Sequence, residues 1–186
     1  MALAAPQRRC GAANRHASEL SCKGVEIYLL RHGIAEEGEA GKSDSDRALT
    51  AEGKKKLRAV LDVAADSGVC PALVITSPYR RAVQTADVAA ETLEYRGDLL
   101  RSRTLLPDAD PHQAWEEIRL HKDVESMLLA GHEPLFGRLF AYLLGCPTLQ
   151  VDFKKGALAR IDIDNFGAQP RGVLKWMLTA RLTRDR

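Results

Sequence analysis

From Val25 onward the chain alternates short apolar runs with stretches in which apolar residues recur every three or four positions. The run VEIYLL (25–30) predicts a buried strand. Residues 49–68 predict a helix with Thr50 near its N-cap, Leu57, Leu61 and Ala64 on one face, and Gly68 as terminator. ALVIT (72–76) is a second short strand, and Tyr79 to Leu93 a second amphipathic helix in which Ala82, Ala86, Ala89 and Leu93 recur at helical spacing. Beyond it, LLRSRTLL (99–106) reads as a strand, and PHQAWEEIRLHK (111–122) as a short helix opening on Pro111. SMLLA (126–130) is a further strand, and PLFGRLFAYLLG (134–145) a helix ended by Gly145. GALARIDID (156–164) and GVLKWML (172–178) supply two last strands.

Strands alternating with helices predict an α/β domain, because each crossover helix returns the chain to the same end of a sheet. The expected architecture is a single three-layer domain over 25–186, with a mainly parallel central sheet flanked by helices. Residues 1–24 form the expected disordered N-terminal extension. No second domain and no internal repeat is visible, and 186 residues with 45% hydrophobic content suffice for one sizeable core.

Charge narrows the partners. The net charge is +2, but Arg8, Arg9, Arg15 and Lys23 against Glu19 give +3 before residue 25 and leave −1 for the rest. By bulk charge the folded part is no polyanion binder, so no nucleic-acid partner is expected. No apolar stretch approaches the ~18 residues of a membrane span, which sets a membrane partner aside. The four cysteines, Cys10, Cys22, Cys70 and Cys146, lie far apart. They show neither a disulfide framework nor zinc-ligand spacing, and the expected compartment is the reducing cytoplasm. The extension is arginine-bearing and almost free of acid, which leaves organellar targeting as an alternative to a plain tail.

Ligands of open α/β sheets bind beyond the carboxyl ends of strands. Three polar clusters fall there: Arg31-His32-Gly33, Ser77 to Arg81, and Gly131-His132-Glu133. Guanidinium forks match phosphoryl oxygens and stay charged, while a neutral imidazole offers a nucleophilic nitrogen. Together they suit phosphoryl transfer. Gly33 beside the histidine permits close approach of a phosphate and leaves amides to donate.

The segments YLLRHGIAEE, SDRALTAEG, ITSPYRRAVQTA, LLAGHEP and KKGALARIDI, in that order, resemble the histidine phosphatase superfamily (phosphoglycerate mutase-like). The closer similarity is to its short SixA-like phosphohistidine phosphatase branch, over about Val25 to Leu178. The resemblance implies that His32 is the nucleophile and forms a phosphohistidine intermediate. It further implies that Arg31, Arg81 and His132 surround the equatorial oxygens, with Arg80 the alternative to Arg81. Neither metal nor cofactor is expected, since fixed positive charge stabilises the oxygens in both displacements.

An alcohol leaving group needs a proton donor, whereas phosphohistidine carries a second ring nitrogen that can hold the proton. The mutase-like branch carries a glutamate in an insertion that the stretch from Leu93 to Glu125 lacks. Glu133, Asp108 and Asp110 are the remaining candidate acids. Glu133 fits equally the first turn of a helix, and PDADP fits helix-capping turn chemistry. Arg47 matches an arginine of the SixA-like pattern and is expected either to receive substrate at the rim or to pair with Asp44 or Asp46. Lys154-Lys155-Gly156 reads as a solvated turn.

The expected activity is therefore a metal-independent phosphohistidine phosphatase acting on a signalling protein such as a histidine-containing phosphotransfer domain. The alternative is a broader phosphomonoesterase acting on a small phosphate ester.

Overall fold

The computed structural model describes residues 24–39, 41 and 43–183. The extension expected over 1–24 therefore lies, but for Gly24, outside the described residues. Six strands form one sheet: β1 (Val25–Arg31), β2 (Leu73–Thr76), β3 (Leu99–Arg101), β4 (Ser126–Gly131), β5 (Leu158–Ile163) and β6 (Val173–Leu178). Four helices join them: α1 (Ala51–Asp66), α2 (Arg80–Thr92), α3 (Pro111–Leu120) and α4 (Leu135–Leu143). The spatial strand order is β3-β2-β4-β1-β5-β6. β3, β2, β4 and β1 run parallel, whereas β5 pairs antiparallel with both β1 and β6. The sheet is thus mixed: β1 to β4 are parallel, whereas β5 enters antiparallel although α4 precedes it. No helix separates β5 from β6, and a parallel return needs about a dozen residues or more.

Alternation along the strands sorts the core into two layers. Ile27 and Leu29 of β1, with Met127 and Leu129 of β4, face α3 and α4 around Trp115, Phe136 and Phe140. Tyr28 and Leu30, with Leu128 and Ala130, face α1 and α2 around Leu57, Leu61 and Ala86. β1 and β4 are buried on both sides, which is why they read as continuous apolar runs.

Local signals set the element ends. The Thr50 hydroxyl accepts the Gly53 N–H at 2.9 Å at the start of α1, and Gly68 takes φ +85° after its end. Asp110 caps α3 by accepting the His112 N–H at 2.8 Å. The strand expected over 99–106 is cut short at Arg101. There the Ser102 hydroxyl accepts the Thr104 N–H at 3.2 Å, and the chain enters a 3-10 turn, Arg103–Leu105, that delivers Leu105 into the core. A second correction concerns the thiols. Cys70 is disulfide-bonded and Cys146 is free and exposed, against the expectation of a disulfide-free chain. Sequence spacing tests only local pairs, while a bond between distant cysteines is decided by proximity in the fold.

Candidate active site

Strand register explains how three distant clusters meet. In the sheet Arg31 of β1 lies opposite Gly131 of β4, and Thr76 of β2 lies opposite Ala130 of β4. His32, Ser77 and His132, each one residue past its strand, therefore emerge in one row at the carboxyl edge. The two imidazole centroids are 5.0 Å apart, and His132 Nε2 is 2.9 Å from the Ser77 hydroxyl.

His32 is only 7% exposed. Its Nδ1 lies 2.8 Å from the Gly33 carbonyl, which can only accept, so the ring proton sits on Nδ1 and the lone pair on Nε2. Burial, reinforced by the charges of Arg81, Arg31 and Lys155, lowers its pKa to about 4 against the partial opposition of the Gly33 bond. His132, 1% exposed, is lowered further to about 2, chiefly by burial and then by the neighbouring His32 and Arg81. Both rings are neutral at physiological pH.

Arg81 lies in the first turn of α2 and is 5% exposed, with its guanidinium carbon 5.0 Å from the Tyr79 ring centroid. Its Nε points to His32 Nε2 at 3.4 Å. Arg80 is exposed, so Arg81 is the arginine that faces the nucleophile. Arg31 donates from Nη1 to the Phe153 carbonyl, while its buried Nε makes no hydrogen bond. The buried Nδ1 of His132 likewise makes none. These two orphaned atoms, one of them on the Arg31 guanidinium, stand with Arg81 as a donor set suited to an anion with several oxygens.

The neighbours of these residues were harder to foresee. Thr85 accepts the Gly33 N–H at 3.3 Å and donates to the Arg81 carbonyl at 2.7 Å, tying the first cluster to the second. The Gly33 amide is therefore engaged, which corrects the expectation that it is left to donate. What Gly33 gives is room, since a Cβ there would stand 3.2 Å from the Gly53 carbonyl oxygen. Gln84 accepts the Leu49 N–H at 2.7 Å. Gly156, at φ +74°, donates to the carbonyls of Arg31 (3.2 Å) and His32 (3.0 Å). Lys154 and Lys155 are exposed at this turn, as expected, and Gly156 ties the turn to the nucleophile.

The carboxylates divide clearly. Glu133 accepts the Gly137 N–H at 3.1 Å at the start of α4, and its charge opposes the lowering of the Arg31 pKa that burial causes. Asp110 is the α3 cap and Asp108 is exposed. The carboxylate in the site is Asp44, in the 3-10 turn Asp44–Asp46. Its side chain accepts from Arg81 Nη2 at 2.8 Å and from Arg47 Nη1 at 2.7 Å, and its carbonyl accepts from Arg81 Nη1 at 2.6 Å. Arg47 also donates to the Glu36 carbonyl at 2.7 Å. Sequence reasoning reached Asp44 only as a surface partner of Arg47. The one signal available was an acid in a short loop before the helix. Among the described residues no group of three or more His, Cys, Asp or Glu side chains is arranged to hold a metal ion.

The profile of the histidine phosphatase superfamily (branch 1) matches residues 27–101, from β1 through β3. The chain belongs to the histidine phosphatase superfamily. Together with the SixA relatives that follow, the superfamily match makes it a phosphatase-type hydrolase. The chain is 29% identical to the phosphohistidine phosphatase SixA of Escherichia coli (strain K12) over 161 residues, 83% of this chain and 94% of that protein. The structure of the protein histidine phosphatase SixA complexed with tungstate superposes with a TM-score of 0.77 at 26% identity, covering 86% of this chain and all of that one. A mycobacterial glucosyl-3-phosphoglycerate phosphatase shares the fold at 16% identity, with a TM-score of 0.60 over 81% of this chain and 97% of its own. The fold is the mixed α/β sandwich of this superfamily.

Proposed function

We propose that this protein is a metal-independent phosphohistidine phosphatase of the SixA-like branch, acting on a phosphohistidine-bearing signalling protein such as a histidine-containing phosphotransfer domain. The observation that carries the reading is the buried, neutral His32, with its proton committed to the Gly33 carbonyl and its Nε2 lone pair beneath Arg81. Similarity to the Escherichia coli SixA protein, named a phosphohistidine phosphatase, supports the substrate class.

In the first displacement the Nε2 lone pair of His32 forms a bond to phosphorus as the bond from phosphorus to the substrate nitrogen breaks. The substrate imidazole keeps that electron pair and departs neutral, because its other nitrogen already holds a proton. Arg31 and Arg81 carry the phosphoryl charge, and the orphaned Nδ1 of His132 is the third donor. For that role His132 must hold its proton on Nδ1. Ser77 supports this tautomer, since its hydroxyl accepts the Tyr79 N–H at 3.3 Å and keeps its own proton for His132 Nε2. In the second displacement water attacks phosphorus, the bond to His32 breaks, and inorganic phosphate leaves.

Phosphate release without added metal, from a phosphohistidine protein and from a panel of alkyl and aryl monophosphates, tests this reading. Strong preference for the phosphohistidine protein is the expected result. Efficient alkyl phosphate hydrolysis would replace it with the broader phosphomonoesterase and reopen the search for a proton donor among Glu133, Asp108, Asp110 and Asp44.

A further inference from the structure

Asp44 holds both outer nitrogens of Arg81, while the Nε of the same guanidinium faces the nucleophile. Nucleophile and carboxylate therefore bracket Arg81, with His32 on the buried side and Asp44, its side chain 54% exposed, on the open side. The partnership with Arg47 and Arg81 holds Asp44 below the usual carboxylate range despite some desolvation, so it is ionised.

An ionised carboxylate on the fork that receives a phosphate is a handicap, because like charges repel and the acid competes for the same donors. A pocket built for any phosphate ester has no use for it. A substrate whose leaving group bears an N–H removes the handicap, since the carboxylate can accept that hydrogen. An in-line displacement puts the leaving group opposite the nucleophile, on the open side where Asp44 stands.

We infer that Asp44 is a specificity-determining residue that accepts a hydrogen bond from the leaving imidazole and so selects phosphorylated nitrogen over phosphate esters of alcohols. The inference rests on the phosphohistidine reading above and deepens it. The phosphorylated ring is held with its second nitrogen protonated, as the N–H donates to the Asp44 carboxylate. When the bond to phosphorus breaks, the electron pair stays on the ring nitrogen and a neutral imidazole leaves with its proton. Asp44 keeps its charge throughout. Alcohol leaving groups carry no proton on their bridging oxygen and meet only the repulsion.

The test is Asp44→Asn beside wild type, with a phosphorylated histidine-containing phosphotransfer domain, p-nitrophenyl phosphate, and inorganic phosphate as inhibitor. The expected result is opposed changes. On the phosphohistidine protein kcat/KM falls at least about tenfold, the scale of a hydrogen bond to a charged group. Meanwhile the KM for p-nitrophenyl phosphate and the inhibition constant of phosphate both drop. Parallel losses on both substrates, with weaker phosphate inhibition, would overturn the inference and leave Asp44 as a mere support for Arg81. Unchanged phosphohistidine turnover would also overturn it. Equal thermal unfolding of the two proteins guards against a folding defect. A wild type that cleaves p-nitrophenyl phosphate but never the phosphohistidine protein would instead overturn the substrate reading itself, and this inference with it.

Discussion

Acidification from pH 8 to pH 5 should destabilise this protein for a reason located in its active site. His32 and His132 are buried and neutral, with pKa values lowered from 6.5 to about 4 and about 2. In the unfolded chain both return to the ordinary value. Between the folded and unfolded values the unfolded chain binds more protons, so stability is full above about pH 6.5 and is lost as pH falls. At pH 5 each unfolded imidazole has gained about 2 kcal/mol from protonation that its buried counterpart forgoes. That figure depends little on how far below 5 the folded values lie, because both rings are still neutral there. Two rings give about 4 kcal/mol, a large part of the 5–15 kcal/mol that holds a typical domain together. In urea, with a slope of about 2 kcal/mol per molar, the midpoint should fall by about 2 M. His32→Gln and His132→Gln should each remove about half of the pH dependence. A midpoint that moves by less than about 0.5 M between pH 8 and pH 5 would refute the neutral, buried pair.

Three further outcomes follow from single contacts. Ser77→Ala lets the proton of His132 move to Nε2 and withdraws the Nδ1 donor, so kcat/KM should fall about tenfold with a changed 15N imidazole signature; an unaltered signature would contradict the assigned tautomer. Glu133→Gln keeps the shape of the α4 contact and weakens a charged cap, so it should cost about 0.5–1 kcal/mol of stability while turnover stays within about twofold, and a collapse of turnover would make Glu133 a proton donor. At Gly53 an added Cβ would stand 2.1 Å from the Ile34 carbonyl oxygen, so Gly53→Ala must shift α1 against the nucleophile loop and cost about 2 kcal/mol or more by chemical denaturation.

The elements of this fold were legible where burial imposes a period. α1 and α2 present apolar residues at three- and four-residue steps, and β1 and β4 are apolar on both faces because helices cover both sides. Strand direction was less legible, since alternation is the same in parallel and antiparallel pairs. The one sign lay in the β5–β6 connection, which carries no helix. His32, Ser77, Arg81 and His132 could be found because each cluster closely follows a strand, and register then brings them together. The supporting contacts could not be found that way. Thr85 reaches Gly33 across 52 positions and Gly156 reaches Arg31 across 125, links that depend on packing between elements rather than on any local pattern. Asp44 escaped for a related reason. In sequence it is one acid in a polar loop with an arginine three residues away, and only the placement of α2 brings Arg81 to it.

The covalent intermediate is the most direct point of attack on the account. The wild-type protein is mixed for milliseconds with a phosphotransfer domain carrying radiolabelled phosphate on histidine, quenched in alkali, and mapped by peptide mass. The account requires label on His32 in an acid-labile, alkali-stable linkage that decays to inorganic phosphate, and none on a His32→Ala protein. Phosphate release by His32→Ala at the wild-type rate, or label trapped on any other residue, would contradict it.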